Sequence, residues 1–141
     1  METKDLMIGD LVLISVWDCN PFPSKVTSIN YNSYQGKDFV DWIDTEDEEE
    51  IGMYAVQPIP LTPEILEKNF GKPYPRGGFH NYRMEKDETI AFVIEDRRVS
   101  AAPDNRVVLS RCPGTYICDV NYVHELQHAL RLLGIEKDIT L

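Results

Sequence analysis

The architecture of the chain depends most on Asn121-Tyr-Val-His-Glu-Leu-Gln-His-Ala-Leu-Arg-Leu-Leu-Gly134. At about 100° per residue, one apolar arc of a helix is formed by Tyr122, Val123, Leu126, Ala129, Leu130 and Leu133. Asn121 can cap the start of this helix. Gly134 can end it, with Ile135 placed to touch Leu130 as in a Schellman motif. We therefore expect a C-terminal helix packed on a sheet, and its solvent-facing side should carry His124, Gln127, His128 and Arg131.

The same stretch contains His124-Glu125-x-x-His128, the spacing of the zinc-binding core of many metalloproteases. The two histidines lie one helical turn apart and could share one zinc ion. Glu125 would then be the base that deprotonates zinc-bound water. The motif alone therefore allows a small zinc hydrolase.

The surroundings of the motif do not supply the third protein ligand that a catalytic zinc needs. Metzincins have glycine and histidine where this chain has Arg131 and Gly134. Cys112 and Cys118 precede the helix, as the ligand cysteine of peptide deformylases does, but the glycine-rich and cysteine motifs of those enzymes are missing. His80 is the remaining candidate. We favour a coincidental motif with no metal and no catalytic residue, and keep the zinc hydrolase as the alternative.

The first sixty residues read as short strands joined by turns. β-branched and apolar runs predict strands over residues 11–17, 25–31, 38–44 and 50–56. An Asn-Pro pair marks a loop before the second strand, and residues 32–36 form a turn before the third. Strands at this spacing predict a small curled antiparallel sheet or an SH3-like barrel.

Seven acidic residues fall within positions 41–50, in the run Asp41-Trp-Ile-Asp-Thr-Glu-Asp-Glu-Glu-Glu50. A calcium loop of the EF-hand type needs alternating oxygen ligands and a glycine for its sharp turn. Here the acids are consecutive and contain no glycine among them. We therefore expect a solvated hairpin loop.

A short central helix follows a proline-rich connector. Thr62 can cap it, Pro63 falls at its first position, and Gly71 can end it. Leu61 and Leu66 form a hydrophobic staple across its start. The helix is predicted to close one end of a sheet.

A second β portion is predicted beyond this helix. Residues 79–84 and 88–95 read as strands joined by a turn at 86–87, and residues 72–78 as a loop. Residues 106–110 and 115–120 form a hairpin around Pro113-Gly114. A basic edge could be formed by Arg97, Arg98, Arg106 and Arg111. Without interleaved aromatic residues, this edge is a weak indication of nucleic-acid binding.

Charge is distributed unevenly along the chain. Residues 1–70 contain fourteen acids and four lysines, which gives the whole net charge of −10, whereas residues 71–141 are balanced. The acidic half should repel nucleic acid and anionic lipid. It would suit a basic protein partner or mimic a phosphate backbone, although solubility alone also accounts for charged faces.

Composition and length predict one globular domain of 141 residues, with a β-rich acidic half (1–60) and a second half (61–141) of helix, strands and C-terminal helix. Acidic residues near the start do not fit a signal peptide, and no apolar run is long enough to span a bilayer. Three cysteines without CxxC spacing fit free thiols in a reducing compartment. We therefore predict a cytoplasmic protein.

Two segments together carry a resemblance to a known family. The connector and helix Gln57-Pro-Ile-Pro-Leu-Thr-Pro-Glu-Ile-Leu-Glu-Lys-Asn-Phe-Gly71 is similar to the "PIPLT-E-L-K-GF" segment of a family of small uncharacterised proteins from gut bacteria and their phages. Residues 121–134 resemble the family's C-terminal "YVHxLQxLxxxLxG" segment, and Met7-Ile-Gly-Asp-Leu-Val12 resembles its "RIGN-V" start. The resemblance implies no known activity, catalytic residue or cofactor.

These observations predict an α+β protein with a barrel-like antiparallel N-terminal half, a short central helix, a second β portion and a C-terminal helix. The expected function is that of a non-enzymatic accessory or interaction protein, associated with a phage or mobile element. Its partner would be another protein, of basic character, rather than nucleic acid or a membrane.

Overall fold

The computed structural model of the protein describes residues 6–17, 19–85, 91–99, 103–111 and 114–141. These residues form an α+β fold with two five-stranded antiparallel sheets and two α-helices, as predicted. The chain divides into two compact units, the N-terminal unit Met1–Ile59 and the C-terminal unit Pro60–Leu141. This boundary lies one residue from the predicted division between the two halves. That the whole chain forms a single domain stays a prediction.

The N-terminal unit is an antiparallel sheet of five strands. They are β1 Leu11–Ile14, β2 Phe22–Tyr34, β3 Lys37–Thr45, β4 Ile51–Gly52 and β5 Val56–Pro58. Their order in the sheet is β4-β3-β2-β1-β5, so the described strands leave β4 and β5 at the two edges and do not close a barrel. A 3-10 turn at Met53–Ala55 separates those two edge strands, where the sequence predicted one continuous strand.

The hairpin of β2 and β3 is longer than predicted. Tyr34 pairs with Lys37, so the turn contains only Gln35 and Gly36, both at positive φ. Two central residues at positive φ give the turn type whose twist matches that of the flanking strands. The wider turn predicted over residues 32–36 is therefore wrong.

The buried core cluster of the N-terminal unit is aliphatic, and Phe22 and Met53 pack partly buried against it. Alternate residues of β1 point inward, so that Val12 and Ile14 are fully buried. The buried cluster consists of Leu6, Val12, Ile14, Val26, Val40, Ile43, Ile51, Ala55 and Val56.

The C-terminal unit begins with the predicted central helix, α1 at Pro63–Phe70. The Thr62 hydroxyl oxygen accepts a hydrogen bond from the Ile65 N–H at 3.2 Å, and Gly71 ends the helix at a φ of 81°. Leu66 is completely buried, and α1 packs against a strand of the unit, β7 at Phe79–Glu85. The structure therefore confirms the central helix that the sequence predicted, including its first and last residues' capping signals.

The sheet of this unit has five strands. They are β6 Tyr74–Arg76, β7 Phe79–Glu85, β8 Ala91–Asp96, β9 Val107–Arg111 and β10 Thr115–Asp119. Their order is β10-β9-β8-β7-β6. The sequence predicted only a loop over residues 72–78, where β6 lies, and the predicted turn at 86–87 lies outside the described residues. The remaining strands agree in position with those predicted.

The C-terminal helix, α2, covers Val123–Leu132. The Gly134 N–H donates to the Arg131 carbonyl at 3.0 Å and the Ile135 N–H to the Leu130 carbonyl at 2.9 Å, which are the two bonds of a Schellman motif. The predicted ending is therefore confirmed, but the predicted cap is not. The Asn121 side chain instead accepts a hydrogen bond from the Val107 N–H at 2.9 Å and so ties the chain before α2 to β9.

Candidate functional site

The metalloprotease-like motif is packed differently from our expectation. His124 is only 4% exposed and Gln127 is also buried, so the prediction that both face solvent is wrong. The helix buries a second side next to its apolar arc, which a one-sided arc on a helical wheel cannot anticipate. His128 is partly buried, and its ring meets that of His124 edge-on with centroids 5.7 Å apart.

Glu125 has a structural role at the start of α2. Its Oε2 atom accepts hydrogen bonds from the N–H groups of Asn121 at 2.8 Å and Tyr122 at 3.2 Å. This is the carboxylate half of a capping box, which satisfies backbone donors that a helix start leaves without an intrahelical partner. The glutamate of the motif is therefore accounted for by helix capping.

The third ligand required by the zinc alternative does not appear in the part of the chain that the structure describes. Within those ranges no three or more His, Cys, Asp or Glu residues form a group able to hold a metal. His80 is exposed on β7, opposite Pro75 and Asp96 on its neighbouring strands. Burial raises the pKa of the Cys118 thiol, which disfavours the thiolate form that binds metals. Cys112 lies outside the described residues.

The N-terminal unit exposes most of its aromatic side chains. Six of its seven aromatic residues are exposed, and the seventh, Phe22, packs partly buried against the core. Tyrosine and tryptophan are enriched in protein interfaces, because they combine a large apolar area with a polar atom. The exposed residues are Trp17, Tyr31, Tyr34, Phe39, Trp42 and Tyr54.

Two of these aromatic residues line a groove of about 620 Å³, which we call the acidic aromatic groove. Trp42 on β3 lies opposite Gly52 on β4, and the following 3-10 turn contributes Tyr54. Pairing of β3 with β4 thus brings together residues that are ten positions apart in sequence. The groove is lined by Asp41, Trp42, Glu50, Gly52, Met53 and Tyr54.

Gly52 provides the space in which the Tyr54 ring lies. A Cβ atom built on Gly52 would be 2.5 Å from Cε1 and 2.9 Å from Cδ1 of Tyr54. The backbone of Gly52 is extended, with φ −66° and ψ 147°, a conformation open to any residue. Glycine is thus needed here for the ring position and not for the backbone conformation.

Five of the seven acids, Glu46 to Glu50, form an exposed hairpin loop between β3 and β4, as predicted, whereas Asp41 and Asp44 lie on β3 itself. Asp44 holds this loop, because its carboxylate accepts hydrogen bonds from the Glu50 N–H at 2.8 Å and the Ser28 hydroxyl at 2.7 Å. The Glu50 backbone bond is the main reason why the pKa of Asp44 is lowered, and the Ser28 bond adds to it. On the other side of the loop, the Ser24 hydroxyl donates to Asp47 at 2.6 Å. The carboxylates beside the groove are therefore held in a defined loop.

The predicted basic edge of the C-terminal unit is largely neutralised. Arg97 pairs with Glu95 at 3.0 Å, and Arg106 pairs with Asp104 at 2.7 Å. Arg98 forms two bonds of 2.8 Å to the fully buried carboxylate of Asp96. The guanidinium groups of these three arginines are therefore engaged by carboxylates of the same unit.

Comparisons with known proteins add no relative. No protein family, curated protein or solved structure matches this chain. The resemblance to small proteins of gut bacteria and their phages therefore stays a prediction. None of the helices in the described ranges has the length and apolar character needed to cross a membrane.

Proposed function

We propose that this protein is a non-enzymatic interaction protein whose N-terminal unit binds a lysine- or arginine-rich segment of a partner protein in the acidic aromatic groove. The observation that carries this proposal is the coincidence of exposed aromatic rings and carboxylates in one groove. The free thiols favour a cytoplasmic setting, and the family resemblance favours an accessory role on a phage or mobile element.

The chemistry of the groove selects for cations. The face of an indole or phenol ring attracts ammonium and guanidinium groups, and tryptophan is the strongest of these rings. Trp42 and Tyr54 would contact the cationic side chain, while Asp41 and Glu50 would provide the opposite charge. The neighbouring acidic loop raises the rate of encounter with a basic partner at low salt.

The direct test measures binding of a fluorescently labelled lysine–glycine repeat peptide to the whole chain by anisotropy. We expect affinity to fall as salt rises and to weaken about two- to fivefold in Trp42→Ala, the range for exposed cation–π contacts. Replacing Glu46 to Glu50 by glutamine should reduce the salt dependence, because fewer charges then take part.

The controls separate this site from general attraction of opposite charges. Tyr116→Ala removes an exposed aromatic ring from the C-terminal unit and should leave peptide affinity unchanged. A glutamate–glycine repeat peptide should not bind. Equal binding of both peptides, or full affinity in Trp42→Ala, would disprove the proposed site.

A further inference from the structure

The hairpin of β2 and β3 extends beyond the strands that flank it. β4 pairs with β3 only at Trp42 and Ile43, and no other strand of the described residues pairs with that edge of β3. Residues 37–41 therefore have a neighbouring strand on one side only. Such an open edge presents N–H and C=O groups that can pair with another chain.

The hairpin turn identifies the groups on this open edge. Tyr34 and Lys37 pair directly across the two-residue turn, so they form the hydrogen-bonded pair that closes it. Hydrogen-bonded and non-hydrogen-bonded pairs alternate along an antiparallel ladder. The N–H and C=O groups of Asp38 and Val40 therefore point away from β2, and within the described residues no hydrogen bond to them is found.

The composition of this edge differs from that of two other sheet edges in the protein. Pro58 ends β5 and Pro75 is the middle residue of β6, and proline cannot donate to an added strand. The open edge of β3 contains no proline and two acids, Asp38 and Asp41. With twelve acids and three lysines, the N-terminal unit has a net charge of −9. Two copies of the unit therefore repel each other, whereas a basic strand is attracted to this edge.

The open edge leads into the acidic aromatic groove. The register of β2 and β3 shifts between Asn30 and Tyr31, which leaves Asp41 as an extra residue in β3. Such a bulge changes the direction of a side chain. Asp41 and Trp42 therefore both line the groove, although successive side chains of a regular strand point to opposite faces. A strand added beside residues 37–41 continues the line of β4 and meets the groove at Asp41 and Trp42.

From this arrangement we infer that the basic partner segment binds as an extended strand added to the open edge of β3, with a lysine or arginine side chain in the acidic aromatic groove. The inference rests on the proposed function and specifies how the same segment is held. In strand addition, main-chain hydrogen bonds give affinity and alternate side chains give specificity. Both neighbours of β3 are antiparallel to it, and we expect the same orientation for the added strand.

N-methylated peptides test this arrangement, because a methyl group on a backbone nitrogen removes a hydrogen-bond donor and leaves the charge of the peptide unchanged. The parent is a short, fluorescently labelled peptide of alternating lysine and threonine. Lysines on the face of the groove place the threonines on the face of Val40, which is buried in the core. In an antiparallel strand, the threonine N–H groups then bond to the open edge.

N-methylation of the threonines should therefore weaken binding at least about tenfold, because several main-chain hydrogen bonds are lost. N-methylation of the lysines, whose N–H groups point away from β3, should weaken it less than about threefold. The opposite asymmetry would still support strand addition, in the parallel orientation. Equal affinities of the two N-methylated peptides would overturn the inference.

Variants of the protein test the same edge. Asp38→Pro removes one donor from the open edge and no bond to β2, while Asp38→Ala removes the same charge and keeps the donor. Asp38→Pro should bind the parent peptide about two- to tenfold more weakly than Asp38→Ala, which is the loss of one hydrogen bond. Equal affinities of the two variants, or a dimer of the free protein that Asp38→Pro separates, would contradict the inference.

A failure of this inference is distinguishable from a failure of the proposed function. If the parent and both N-methylated peptides bind equally and Trp42→Ala weakens all three, the groove binds a basic segment without strand addition. If the parent peptide does not bind, or binds as tightly to Trp42→Ala, the proposed function fails as well.

Discussion

Gly52→Ala should raise the stability of the protein and lower its affinity for a basic peptide. The extended backbone of Gly52 accommodates alanine without strain. The new methyl group, however, would lie 2.5 Å from the Tyr54 ring and force that ring out of its position. Tyr54 is 95% exposed, so the ring can move without disturbing the core.

The two effects have opposite signs and separate physical origins. Replacing glycine by alanine at a compatible position stabilises a protein by about 0.4–1 kcal/mol, because the unfolded chain loses freedom. Displacing one exposed ring from a cation costs about 0.5–1 kcal/mol of binding free energy, which is a two- to fivefold loss of affinity. A variant that merely damaged the fold would lose both stability and affinity.

The assay combines urea unfolding with peptide anisotropy. Trp17 and Trp42 are the only tryptophans and both lie in the N-terminal unit, so their fluorescence reports unfolding of the unit that carries Gly52. Tyr54→Ala should lose the same affinity, and the double variant should lose no more than either single one, since both changes remove the same ring. Additive losses, an unchanged affinity in Gly52→Ala, or a lower urea midpoint would refute this reasoning.

Four further predictions concern stability and metal binding. Arg98→Ala should destabilise the protein by about 3 kcal/mol in urea unfolding followed by circular dichroism, because it leaves the carboxylate of Asp96 buried without its partner; Arg83→Ala, which breaks an exposed pair, should cost less than about 1 kcal/mol. Because the pKa of Asp44 is lowered in the folded protein from its ordinary 3.8, its contribution is complete above that value and lost as the pH falls through the lower folded pKa. Asp44→Asn should therefore be less stable than the original protein at pH 6 but less acid-sensitive below pH 3.8, and parallel stability profiles would contradict this. Glu125→Ala should lower stability by about 0.5–2 kcal/mol through loss of the helix cap. Metal analysis of the original protein should find no stoichiometric zinc. Bound zinc that is lost in a His124→Ala variant would restore the hydrolase alternative.

Local structure was predictable where a few neighbouring residues determine it. The cap at Thr62 and the Schellman ending at Gly134 depend on contacts within six residues, and both were read correctly. The burial of His124 could not be predicted in this way, because it depends on what packs beside α2 as well as on the helix itself. The break between β4 and β5 was missed for a related reason: apolar residues over 50–56 fit a strand equally well, and only the 3-10 turn shows the interruption.

The acidic aromatic groove depends on strand pairing, which composition and periodicity do not specify. It needs the register that places Trp42 opposite Gly52. The charge distribution predicts only that the first half would suit a basic partner, and this stays a prediction. The sequence does not specify the strand register that places the aromatic rings and the carboxylates in one groove.

In the N-terminal unit, the buried core and the exposed aromatic residues are different sets of side chains. Burying one aromatic side chain would stabilise a fold by about 1.5–3 kcal/mol, yet the buried cluster of this unit of 59 residues is aliphatic, and among the aromatic residues only Phe22 packs against it. Small domains bury a smaller share of their surface and have little stability to spare. Trp17 and Tyr54, both 95% exposed, therefore add little to the fold, whereas Trp42 is 37% exposed and buries most of its surface. Trp42 and Tyr54 share a groove with carboxylates, so we expect a cationic side chain to bind there and not at the tip of the β2–β3 hairpin.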